Sequence, residues 1–72
     1  MQTTITRENI ADLAAAINAA AESGRVTVNG DLVLGSEAAK VGSGNTLYVR
    51  VAHKGRPRMA FFKPGVEVDI QA

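Results

Sequence analysis

Two runs of alternating apolar and polar residues, separated by a short polar break, most constrain the fold of this chain. The first run is Leu47 to Ala52, the second is Arg58 to Phe62, and His53 to Pro57 lies between them. Successive side chains of a β-strand point to opposite faces, so this pattern predicts an antiparallel β-hairpin with one buried face. The number of residues in the loop then decides which side chains share a face.

A three-residue loop at Lys54, Gly55 and Arg56 separates the two faces most cleanly. It collects the apolar side chains on one face, namely Leu47, Val49, Val51, Met59 and Phe61. The opposite face then carries the remaining cross-strand pairs, Tyr48 with Phe62, Arg50 with Ala60, and Ala52 with Arg58. A two-residue Lys54-Gly55 loop would set Val51 against Arg58 and mix the faces, so we predict the longer loop.

The first third of the chain predicts one helix, from about residue 7 to residue 23. The hydroxyl of Thr6 is suited to cap it, and Ile5 and Ile10 have the spacing of a hydrophobic staple. We expect Gly24 to end the helix in the left-handed conformation. The core-facing stripe is predicted to consist of Ile10, Leu13, Ile17 and Ala20 or Ala21.

Alanine occupies most positions between Ala11 and Ala21, which gives the helix a smooth surface. Such a surface suits close packing on the chain's own sheet. It also suits the seam of a homodimer, because three large side chains are few for covering a sheet. Both arrangements are compatible with the sequence.

The remaining elements are predicted from turn signals and alternation. Asn29-Gly30 marks a second hairpin over residues 25–34, and a three-residue loop would pair Val28 with Leu32. Residues 35–45 are predicted to be a loop, with one helical turn at Ser36 to Lys40 and then a flexible link. Pro64-Gly65 predicts a type II turn, and residues 66–70 a last strand, while the first four residues are expected to be extended or frayed.

These elements predict a single α+β domain over residues 1–72. It would have two layers, with the N-terminal helix packed on an antiparallel sheet of four to five strands formed by the two hairpins and the last strand. No internal repeat or long linker divides the chain.

Composition removes several classes of site. The 72 residues include no cysteine, so neither disulfides nor thiolate metal sites are available. No apolar run approaches the roughly 18 residues of a membrane span, and residues 1–10 lack the features of a signal peptide, so we expect a cytoplasmic protein. His53 is the only histidine and has no evident catalytic partner, so we predict no enzymatic activity, no metal and no cofactor.

The formal net charge of +1 conceals a segregation of charge. No acidic residue lies between Glu37 and Glu67, whereas that interval contains the bases Lys40, Arg50, Lys54, Arg56, Arg58 and Lys63. This asymmetry indicates a polyanionic or acidic partner. The structural alternative is that Arg50 and Arg58 pair with Glu67 and Asp69 across strands, while the rings shield the hairpin edge.

We therefore predict a small binding module that engages nucleic acid through its basic hairpin. Guanidinium and ammonium groups would neutralise phosphates, and the two rings would stack on unpaired bases. The candidate binding residues are Tyr48, Arg50, Lys54, Arg56, Arg58, Phe62 and Lys63. The alternative is a protein-interaction accessory, such as an inhibitor, adaptor or assembly factor of phage or mobile-element type, that docks on an acidic partner surface.

Two local resemblances concern the same hairpin. The run Lys54-Gly55-Arg56-Pro57-Arg58 resembles the AT-hook core, with lysine in place of the first arginine. Followed by Phe62-Lys63-Pro64-Gly65, it is also similar to part of the bacterial histone-like DNA-bending proteins, whose basic β-arm has a proline at its tip. That resemblance implies that Arg56, Pro57 and Arg58 lie at a minor groove. The chain lacks that family's second N-terminal helix, so we do not assign it to the family.

Overall fold

The computed structural model describes residues 1–72 as one helix and a seven-stranded antiparallel sheet. The elements are β1 (Gln2–Thr4), α1 (Ile10–Ser23), β2 (Thr27–Val28), β3 (Asp31–Val33), β4 (Ala39–Gly42), β5 (Thr46–His53), β6 (Arg56–Phe62) and β7 (Glu67–Gln71). The predicted α+β class, with one helix on an antiparallel sheet, is confirmed, but the predicted strand count is too low. The helix has neither the length nor the apolar run needed to cross a lipid bilayer.

The sheet follows the order β1, β7, β2, β3, β5, and β5 also pairs with β4 and β6. Arg50 of β5 donates its N–H to the carbonyl of Ala38 and accepts a hydrogen bond from the N–H of Leu34. Both backbone groups of one strand residue point to the same side. Strands β3 and β4 therefore follow one another along one edge of β5, and β6 occupies the other edge.

Apolar side chains from the helix and the sheet form one core. Its members are Ile5, Ile10, Leu13, Ala14, Ile17, Val26, Val28, Val33, Ala38, Ala39, Leu47, Val49, Val51, Phe62 and Val68. The predicted helix stripe is confirmed, with Ala20 and Ala21 partly buried beside it. Full burial of a large aliphatic side chain contributes about 1.5–3 kcal/mol, so this contact holds the helix on its own sheet. The homodimer seam stays a prediction.

The helix begins with a reciprocal pair of hydrogen bonds between Thr6 and Asn9. The Asn9 N–H donates to Thr6 Oγ1 at 3.0 Å, and the Thr6 N–H donates to Asn9 Oδ1 at 2.8 Å. This is a capping box with asparagine in the position usually held by glutamate or glutamine. The hydrogen bond predicted for the Thr6 hydroxyl is thus found, but the regular helix starts at Ile10 with Asn9 as its N-cap residue, so the predicted start at about residue 7 is too early. The predicted left-handed end is wrong, since Gly24 has an extended φ of 169°.

Asn18 joins the helix to the outer edge of β4. Its Nδ2 donates to the carbonyl of Ala39 at 2.8 Å, and its Oδ1 accepts from the Ala39 N–H at 2.9 Å. The side-chain amide therefore does for β4 what a neighbouring strand would do. It satisfies two backbone groups of a residue that is only 4% exposed.

Two short segments are strands. Residues 2–4, expected to be extended or frayed, are extended and pair with β7. Residues 39–42 pair with β5, so the helical turn predicted at Ser36 to Lys40 is wrong. The alanines that suggest a helix locally are small residues buried beneath α1, and tertiary packing overrides their propensity. The predicted flexible link instead forms the β4–β5 turn, with positive φ at Gly44 and Asn45.

Both hairpins close through two-residue turns, so the three-residue loops predicted for them are wrong. The turn residues Asn29, Gly30, Lys54 and Gly55 all have positive φ, between 51° and 85°. Two successive left-handed residues make a type I′ turn, whose twist matches that of the flanking strands. Val28 consequently lies opposite Asp31, and Val51 lies opposite Arg58.

Charged residues are tolerated at these inward positions because the sheet is open at that end. Arg58 is exposed although its strand position faces the same side as the buried Val51. The side chain of Asp31 keeps 27% of its exposure. A charged side chain that still reaches water loses little solvation, so turn geometry decides the register there.

The type II turn at Pro64-Gly65 formed as predicted, with φ of 97° at Gly65 and a hydrogen bond from the Val66 N–H to the Lys63 carbonyl.

Candidate nucleic-acid interface

The register changes which phenylalanine is on the surface. Phe62 lies opposite Leu47, faces the core and is 9% exposed, so its predicted role as a stacking surface is wrong. Phe61 lies opposite Tyr48 and is 63% exposed. The rings of Tyr48 and Phe61 pack edge to face, with centroids 5.2 Å apart and planes at 82°. An aromatic pair is therefore present, with Phe61 in the place expected for Phe62.

Tyr48 is held on its other side by Gly42 of β4. A Cβ atom at Gly42 would collide with the Tyr48 ring, which lies directly over the glycine backbone. The ring is thus confined between Gly42 and Phe61, and it is half-buried. The sequence predicts Gly42 to be a linker residue and does not reveal that it confines the Tyr48 ring, since the contact exists only when β4 pairs with β5.

The side chains of β4, β5 and β6 that point away from the core form what we call the outer face, which consists of Lys40, Tyr48, Arg50, Met59 and Phe61. Lys40 lies beside Tyr48, and Arg50 lies beside Met59. Phe61 and Met59 are among the most exposed large apolar side chains of the chain. The outer face combines exposed aromatic surface with two cations and contains no carboxylate.

The cations of the basic hairpin have no acidic partners. The structure contains one ion pair, between the amino terminus and Asp69 at 3.4 Å, and a hydrogen-bond contact of 3.0 Å between His53 Nδ1 and Asp31 Oδ1. Glu67 instead accepts a hydrogen bond from Gln2. The pairing of Arg50 and Arg58 with these strand carboxylates, considered as an alternative, is therefore not found. Their charge stays available to a ligand.

These cations do not share one surface, contrary to the sequence-based interpretation. Arg50 lies on the outer face, whereas Arg56 and Arg58 occupy strand positions on the opposite side of the hairpin, next to its turn. Lys54 sits in the turn and Lys63 follows β6, both exposed. Placing Arg50 and Arg58 on the same face was wrong, because a one-residue change of register reverses the face of every residue in β6.

His53 makes a contact that sequence reasoning missed. Its Nδ1 lies 3.0 Å from both carboxylate oxygens of Asp31, so it joins the β5–β6 hairpin to the β2–β3 hairpin. The two residues are 22 positions apart, and no motif links them. No group of three or more histidine, aspartate and glutamate side chains is arranged to hold a metal ion.

Comparisons with known proteins add no family to this geometry. A scan against protein-family models, a search of curated proteins and a search of solved structures each found no match.

Proposed function

We propose that this chain is a small non-enzymatic binding module whose outer face, continued by the basic turn, binds single-stranded nucleic acid. The observation that carries the proposal is the 63% exposed ring of Phe61, set in a surface with two unpaired cations and no carboxylate. Stacking of a base on an exposed aromatic ring contributes about 1–3 kcal/mol. We also propose a cytoplasmic location, with which the lack of cysteine is compatible.

A single strand suits this surface better than a duplex. Bases in a duplex are already stacked on one another, whereas unpaired bases have free ring faces. Arg50 and Lys40 flank the aromatic pair on the outer face and would contact phosphates on either side of a stacked base. Lys54 lies beyond them in the exposed turn and extends the positive surface for a longer strand.

Fluorescence anisotropy with a labelled twelve-nucleotide oligothymidylate tests this proposal. With three phosphates neutralised, log K should fall with log salt at a slope of about −2, and Arg50→Gln should reduce that slope by about 0.7. Phe61→Ala should weaken binding about five- to hundredfold at constant salt, because it removes the stacking surface.

Two exposed residues away from the outer face supply matched controls. Arg25→Gln removes an exposed cation, and Val66→Ala removes apolar surface that is 43% exposed. Both variants should bind like the parent protein. Absence of binding at low salt, or equal losses for Phe61→Ala and Val66→Ala, would refute the proposal.

A further inference from the structure

The outer edge of β6 carries backbone hydrogen-bonding groups that no other strand satisfies. β6 pairs only with β5, and within that pair Met59 lies opposite Arg50. The N–H and C=O of Arg50 point away from β6, because they bond to Ala38 and Leu34. At such a position of an antiparallel pair the partner's groups also point away. The N–H and C=O of Met59 therefore face outward and are unpaired. The same holds for the N–H and C=O of Phe61, which lies two residues further along β6.

Pro57 limits this edge on the side of the turn. It occupies the next outward-facing position of β6, where its missing N–H leaves the β5–β6 ladder intact. Pro57 thus offers only its C=O at this edge, and the complete N–H and C=O pairs available for strand addition are those of Met59 and Phe61. They are enough for a short extended segment and too few for continued growth of the sheet.

A groove of about 240 Å³ runs beside this edge. Its walls are Val28, Asn29 and Asp31 on one side and Arg58, Met59, Ala60, Phe61 and Phe62 on the other. Val28 and Phe62 are buried and provide an apolar floor. The volume lies below the roughly 300–1,000 Å³ of sites for drug-sized ligands. It suits single side chains of a strand laid along β6, whose alternate residues would point into it.

The charges beside the groove indicate which kind of peptide strand would bind there. Arg58 lines the groove without a carboxylate partner, and the one carboxylate there, that of Asp31, contacts His53. Lys54 and Arg56 precede Arg58 at the exposed hairpin end. A second copy paired through the same edge would bring its own Lys54, Arg56 and Arg58 to this surface, and gathering like charges in one place is unfavourable. An acidic segment would instead be attracted.

We infer that the edge of β6 and the groove beside it bind an extended acidic peptide segment of another protein by β-strand addition. The peptide backbone pairs with Met59 and Phe61, one apolar side chain enters the groove between Val28 and Phe62, and a carboxylate lies near Arg58. This surface uses the backbone edge and the inward side of β6. It is distinct from the outer face, which is proposed to bind nucleic acid through side chains.

Selection from a displayed library of random seven-residue peptides on the intact chain tests the inference. The enriched sequences should alternate β-branched or other apolar residues with polar ones and contain Asp or Glu. A synthetic peptide of the consensus is then added to 15N-labelled protein for amide hydrogen exchange. The amides of Met59 and Phe61 should exchange quickly in the free protein and at least about tenfold more slowly with peptide. The amides of Arg58 and Ala60, which face β5, should be slow in both states.

Substitutions separate the backbone contribution from the charge contribution. Met59→Pro removes an outward N–H at the same strand parity as the native Pro57, so the ladder to β5 should survive while peptide affinity falls at least about tenfold. If circular dichroism shows that this variant does not fold, a consensus peptide N-methylated at its pairing residues makes the same test on the ligand. Arg58→Gln should weaken binding about tenfold, and Arg25→Gln should not.

Three outcomes would overturn the inference. These are the absence of enriched peptides, enrichment without acidic residues, and binding that survives both backbone blocks. Slowing of Met59 and Phe61 exchange by oligothymidylate, with no peptide effect, would assign the edge to nucleic acid and also overturn it. Arg50→Gln distinguishes the two surfaces, since it should weaken oligonucleotide binding and leave peptide binding unchanged.

Discussion

Replacing each of the two adjacent phenylalanines of β6 by alanine tests the register on which both binding surfaces depend. Phe62 is 9% exposed and lies opposite Leu47, whereas Phe61 is 63% exposed and lies opposite Tyr48. A three-residue loop would exchange these environments. The two substitutions remove the same atoms from neighbouring positions of one strand, so each is the control for the other.

The expected losses of stability differ severalfold. Phe62→Ala should lower the free energy of unfolding by about 3–5 kcal/mol, the range for a buried phenylalanine. Phe61→Ala should lower it by about 1 kcal/mol, because it loses chiefly the edge-to-face contact with Tyr48. A chain of 72 residues has about 4–11 kcal/mol of total stability. Phe62→Leu, with an expected loss of about 1 kcal/mol, therefore serves if Phe62→Ala does not fold.

Urea unfolding followed by circular dichroism measures the difference. With a slope of about 1 kcal/mol per molar urea for a domain of this size, the midpoint should fall by about 3 M or more for Phe62→Ala and by about 1 M for Phe61→Ala. Equal losses, or a larger loss for Phe61→Ala, would refute the two-residue turn at Lys54-Gly55. The outer face would then have to be assigned again.

Three further substitutions test contacts that organise the sheet. Asn18→Ala should lower the free energy of unfolding by about 2 kcal/mol in the same urea assay, because both buried backbone groups of Ala39 lose a partner; a loss below about 0.5 kcal/mol would contradict the docking contact. Thr6→Ala should cost about 1 kcal/mol through the lost cap, a fall in Tm of about 4–8 °C, and an unchanged Tm would contradict the capping box. Gly42→Ala should displace the Tyr48 ring and shift its NMR ring signals, whereas unshifted signals would show that the ring does not lie over the glycine.

Local sequence signals were sufficient where the chemistry they report is itself local. The helix, the hydrogen bond of the Thr6 hydroxyl, the apolar stripe and the turn at Pro64-Gly65 depend on neighbours within a few residues. Each is found, although the helix starts three residues later than predicted. The alternating runs of β5 and β6 likewise identified the central hairpin. The sequence shows how many cations lie between Glu37 and Glu67, whereas only the tertiary structure shows that they form no ion pairs.

Contacts between distant residues decided the rest. Residues 39–42 become a strand because β5 and the Asn18 amide satisfy their backbone, which no short-range pattern shows. The preference for a three-residue hairpin loop came from requiring every apolar side chain to face inward. That requirement fails at the open end of the sheet, where Arg58 can occupy an inward position and still reach water.

The order of apolar and polar residues thus determined that strands form, and roughly where. Which side chains of each strand face the core was decided only by the tertiary structure. One additional residue in a turn reverses the inward and outward positions of the whole following strand, while it changes the local energy very little. Two features decided the register of the hairpin. The twist of a type I′ turn matches that of the strands, and the sheet is open where Arg58 faces inward. As a result Phe61 and the backbone edge of β6 are on the surface, and Phe62 is in the core.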